Sequence, residues 1–105
     1  MPYVLGTNDT IMGYLFGFPL RACHPDNPSN KILWYVRLPR DGHPLVVRAH
    51  PAGGTTPVVS YSFPADSSPG EIYPSAVDVP TPGCWTLDLS WGAHRDTTRL
   101  SYRVG

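Results

Sequence analysis

The sequence predicts an all-β fold, a Greek-key sandwich of about seven short strands in a single domain. Three observations carry this. Several segments alternate apolar and polar residues with a period of two, as a strand with one buried and one wet face does. No segment keeps helical spacing over ten residues. Ten glycines and thirteen prolines punctuate the apolar runs instead of clustering, so turns fall at intervals of about 8–15 residues. At 105 residues the chain can bury one core without obligatory staples.

Taken in order, residues 1–10 form a short strand or an arm. Residues 11–20 (IMGYLFGFPL) suit a first strand bent at Gly13 or Gly17, where a missing Cβ allows a bulge or a close approach. Residues 1–22 are thus an arm or first strand, and residues 31–104 the body of the sandwich. Arg21 to Asn30 is a loop rich in proline, asparagine and aspartate. Lys31 to Leu38 is a strand with Ile32, Trp34, Val36 and Leu38 in the core. Its other face, Lys31, Leu33, Tyr35 and Arg37, is amphipathic and half covered. The Asp41-Gly42 pair signals a hairpin turn into Pro44–His50, with Leu45, Val47 and Ala49 inward. Residues 57–63 alternate again. Residues 64–74 read as the longest irregular connection and 75–79 as a short strand with Val77 and Val79 inward. Trp85, Leu87, Leu89 and Trp91 alternate with Thr86, Asp88 and Ser90 in the clearest strand of all. After a turn at 92–96, the last strand runs over 97–104 with Thr98, Leu100, Tyr102 and Val104 inward. Trp34, Trp85 and Trp91 are expected to meet between the layers.

Composition narrows the function. Formal net charge is zero, and the eight basic residues, all arginine but Lys31, are spread over the whole length. No basic stripe is legible and nucleic acid is not expected as a partner. The absence of net charge also leaves little repulsion against self-association. The apolar run at 11–20 is too short to span a bilayer, and the start lacks the pattern of a signal peptide.

The closing third carries Pro80, Gly83, Trp85, Leu87 and Leu89, the pattern P-x-x-G-x-[aromatic]-x-L-x-[apolar]. Together with the run from Pro74 to Trp91 and the segment N-K-I-L-W-Y-V-R at 30–37, it resembles immunoglobulin-like domains of uncharacterised function in exported actinobacterial proteins. The resemblance covers residues 31–104. It implies an immunoglobulin-like antiparallel β-sandwich, an extracellular or cell-surface location and a binding or structural role, with no catalytic residue to carry over. One departure concerns the corner before the penultimate strand: where many such domains place tyrosine, this chain has Cys84-Trp85, which puts the usual corner hydrogen bond in question.

Chemistry-bearing residues are sparse. Cys23 and Cys84 either bridge, closing a long loop, or remain two inert thiols. His24, His43, His50 and His94 lie in loops or at strand ends without metal-ligand spacing, so no metal and no cofactor is expected. The carboxylates read as solubilising groups; Asp78 and Asp88 could be neighbours on one wet face. No nucleophile or phosphate-loop motif occurs, and an enzyme is not expected. The aromatics are the richest signal. Tyr14, Phe16 and Phe18 share one parity, Tyr35 lies on the second face of its strand, and Tyr73 sits in the long connection. Exposed, they would serve a protein contact or stack on a sugar. The expected function is therefore a non-enzymatic extracellular interaction or assembly module, self-associating through the N-terminal stretch or an edge strand. The alternative is a carbohydrate- or small-ligand-binding sandwich.

Overall fold

The computed structural model describes residues 3–15, 20–21, 30–38, 42–56, 58–65 and 72–103. Its strands are β1 (Tyr3–Leu5), β2 (Ile11–Leu15), β3 (Leu20–Arg21), β4 (Lys31–Val36), β5 (Leu45–Pro51), β6 (Val59–Phe63), β7 (Ile72–Ala76), β8 (Gly83–Trp91) and β9 (His94–Arg103). They form two sheets, ordered β1-β2-β4-β7 and β3-β9-β8-β5-β6, antiparallel except for the two-residue β3, which runs parallel to β9. Leaving β3 aside, each layer has four strands, eight in all against the seven expected. The partition is that of an immunoglobulin-like sandwich. β2, β4 and β7 stand where strands A, B and E stand, β5, β8 and β9 where C, F and G do, and β6 extends the second layer.

Alternation places the core. Ile11 and Leu15 of β2, Ile32, Trp34 and Val36 of β4, and Leu45, Val47 and Ala49 of β5 are buried. So are all four apolar residues of β8, Trp85, Leu87, Leu89 and Trp91. The three indoles are essentially inaccessible, as expected. Leu38 is only half-buried, at the end of the sandwich, where its carbonyl accepts the Trp91 Nε1 hydrogen at 3.2 Å. Gly13 faces Trp34 across the β2–β4 ladder, and the indole lies on its Cα: a Cβ there would sit 2.7 Å from a ring carbon. The glycine is present for close approach, one of the two roles its position suggested.

Phenols stitch the layers together. Tyr102 of β9 donates to the Val77 carbonyl at 2.7 Å, Tyr73 of β7 to His43 at 2.7 Å and Tyr61 of β6 to Asp78 at 2.9 Å. Burial, with the Asp78 charge adding to it, raises the pKa of both Tyr102 and Tyr61. The corner in question is also closed. Trp85 Nε1 donates to the Thr81 carbonyl at 2.9 Å, so the indole N–H does the work of a phenol at the start of β8.

Several boundaries differ from expectation: Arg21 belongs to β3 rather than to a loop, and β7 ends at Ala76, with the buried Val77 and Val79 beyond it. β7 begins at Ile72 rather than Ser75, because Pro74, a breaker in a central strand, is tolerated in the edge strand that β7 forms. Tyr73 is thereby a core residue, fully buried opposite Trp34, and not an exposed loop aromatic. β9 begins at His94, since Gly92 and Ala93 alone make the turn, so Asp96 lies inside a strand. Asp78 and Asp88 are not neighbours. Asp78 follows β7 and accepts from the Asn30 amide at 2.7 Å, while Asp88 is on the outer side of β8.

Candidate functional site

The outer side of the sheet β1-β2-β4-β7 is built from residues that alternation turns away from the core. The registers align them in two rows across all four strands. One row is Leu5, Met12, Tyr35 and Ile72; the next is Tyr3, Tyr14, Leu33 and Pro74. None of the eight carries a charge. Rows of this kind have side chains about 5 Å apart, so the surface is continuous. Tyr3 is 58%, Leu5 48% and Tyr35 47% exposed, and together with Val58 they are the large hydrophobic residues left open to solvent among those described. Lys31, opposite Ala76, marks the border.

A polar clasp holds the strand that completes this face. The β1–β2 turn brings the Asn8 and Thr10 backbone N–H groups, each 2.9 Å, and the Thr10 hydroxyl, 2.6 Å, onto the Asp96 carboxylate; the Thr97 N–H adds a fourth bond at 2.7 Å. Gly6 leaves the room, because a Cβ there would overlap the carboxylate. Burial pushes the Asp96 pKa up, but these donors outweigh it, and the net displacement is downward. Thr7 N donates to the Thr97 carbonyl at 2.7 Å and the Thr98 hydroxyl to Leu5 at 3.0 Å. Residues 3–10 are therefore paired and clasped, not a loose arm.

Of the aromatic residues singled out in the sequence, Tyr14 and Tyr35 share this face, and Tyr73 lies beneath it in the core. Phe16 and Phe18 lie outside the described residues. The sequence reading missed Tyr3, Leu5, Met12, Leu33, Ile72 and Pro74; the parity of Leu33 with Tyr35 was the signal that an apolar outer face existed. Cys84 is a free, exposed thiol on the other sheet, and Cys23 falls outside the described residues, as does His24. His43 is exposed; His50 bonds the Gly54 carbonyl through Nδ1 at 2.8 Å; His94 tilts against Trp91 with ring centres 5.9 Å apart. Among the described residues no group of three or more His, Cys, Asp or Glu is placed to hold a metal ion, and no helix is long and apolar enough to cross a membrane.

Comparison with protein-family models, with curated proteins and with solved structures found no match to this chain.

Proposed function

We propose that the protein is a non-enzymatic, extracellular interaction module that associates with a second copy of itself through the outer face of the β1-β2-β4-β7 sheet. The observation that carries this is the pair of uncharged rows spanning four strands. Flat pleated faces stack on one another at about 10 Å with side chains interdigitating. An apolar patch of this kind marks an association surface in a soluble protein. Zero formal net charge offers no barrier to bringing two copies together. The extracellular setting rests on the resemblance of residues 31–104 to exported domains. Association by the face replaces association by a free arm, since β1 and β2 are already paired within the chain.

Size-exclusion chromatography with light scattering should give a dimer whose fraction rises with concentration. Tyr35→Arg with Leu5→Arg should return it to monomer with its β circular dichroism intact. A wild-type monomer at every concentration overturns the reading. Tyr3, Tyr14 and Tyr35 on one flat face favour a second reading, stacking on a neutral sugar; tyrosine fluorescence that responds to neutral oligosaccharides while the chain stays monomeric would select it.

A further inference from the structure

Strand register gathers on the opposite face arginines that the sequence scatters. On the outer side of the β3-β9-β8-β5-β6 sheet stand Arg48 from β5 and Arg95, Arg99 and Arg103 from β9, with Asp88 from β8 as the acid among them. All four arginines are exposed, and none of their guanidinium groups has a hydrogen bond or ion pair with a described residue. Asp88 is engaged already, 3.3 Å from His50 Nε2 and 3.4 Å from the Thr97 hydroxyl. Among the described residues, four positive charges against one negative make this face basic in a chain of zero formal charge.

We infer that this face binds an acidic polysaccharide, one bearing carboxylate or sulfate groups. Length argues for a polymer. Arg95 to Arg103 is eight residues of extended strand, about 26 Å, far beyond the reach of one small anion. A depression of about 380 Å³ between Arg48 and Arg95 is lined also by Ser90, Thr97 and the acids Asp88 and Asp96, and so suits the hydroxyls of a sugar ring, the anionic groups falling to the arginines around it. Guanidinium forks suit planar carboxylate and tetrahedral sulfate oxygens. Thr86, Ser90, Thr97 and Ser101, interleaved with the arginines, suit sugar hydroxyls. Among the described residues the face carries no Phe, Tyr or Trp ring on which a base could stack, its one imidazole, His50, being held by Asp88 and Gly54, and no helix or ribbon stands out from it to enter a groove, which disfavours nucleic acid. Among the described residues its apolar side chains are Val46, Cys84 and, next to β6, Val58, with none of the large aromatic anchors of a protein interface.

The test is titration of the full chain at low salt with dextran sulfate, polygalacturonate, neutral dextran and a single-stranded DNA of similar charge. The acidic polysaccharides should bind and neutral dextran should not, with affinity falling steeply as salt rises. Arg95→Gln with Arg99→Gln should weaken binding at least 10-fold and flatten the salt dependence, whereas Lys31→Gln on the other side should leave it unchanged. No binding at low salt, equal loss from Lys31→Gln, or tighter binding to the DNA than to either acidic polysaccharide would each overturn the assignment.

Discussion

The two outer surfaces of this sandwich are made by the same device and come out as opposites. In both sheets every second residue is turned away from the indole core. On β4 and its neighbours those residues are Leu33, Tyr35, Met12 and Tyr14; on β8 and β9 they are Thr86, Asp88, Ser90, Arg95 and Arg99. Alternation thus fixes direction and says nothing about what lies on the far side. A sheet that faces water needs one apolar side. A sheet with two has either a partner or a hazard of aggregation, and here only one layer has two.

The contrast between the two faces depends most on the clasp. Asp96→Ala strips one acceptor from three backbone N–H groups and a hydroxyl, and should cost about 3 kcal/mol in urea denaturation. Released from the sheet, β1 removes Leu5 and Tyr3 from the apolar rows, so self-association should fall while dextran sulfate binding persists. Equal loss of both would mean that the faces are not independent. Acid gives the same cut reversibly. The Asp96 pKa is depressed in the fold, so its contribution is present above the unfolded value, about 3.9, and disappears as pH falls through the lower folded value. Asp96→Asn should flatten that limb of the stability curve.

Gly13→Ala acts one layer deeper. Its methyl would push on the Trp34 ring, an overpacking expected to cost about 2 kcal/mol and to move β2 against β4. Only the apolar face should respond, read as weaker dimerisation at unchanged polyanion affinity. The alkaline limb touches both layers at once. Tyr102 and Tyr61 hold raised pKa values, so the fold is favoured below about pH 10 and loses stability above it as the unfolded chain ionises. Tyr102→Phe should remove most of that loss, measured by thermal melting between neutral and alkaline pH. The smallest effect is sharpest in meaning. Arg99→Gln should alter stability by less than about 0.5 kcal/mol, since the side chain is exposed and has no ion pair with a described residue, and show only in salt-dependent binding.

Much of the fold could be read in advance because burial leaves a period of two. Residues 85–91 and 32–36 show it plainly, and the three indoles lie where it places them. What could not be read was pairing. Pro74 looks like a break until β7 is known to be an edge, and that error alone turned Tyr73 from core into a candidate contact. Asp96 looks like a turn residue until the hairpin proves to need only Gly92 and Ala93. The arginines seemed dispersed because positions 48, 95, 99 and 103 become neighbours only through the β5–β8–β9 register. The corner hydrogen bond was doubted because tyrosine was missing, yet an indole donor at Trp85 reaches Thr81 equally well.

Trp85 and Trp91 give their ring hydrogens to carbonyl oxygens, but the Trp34 ring nitrogen, wholly enclosed, finds no acceptor among the described residues. Packing alone shields that hydrogen. Its replacement by deuterium would therefore time the parting of the two layers directly, and the molecule carries within it a clock for its own opening.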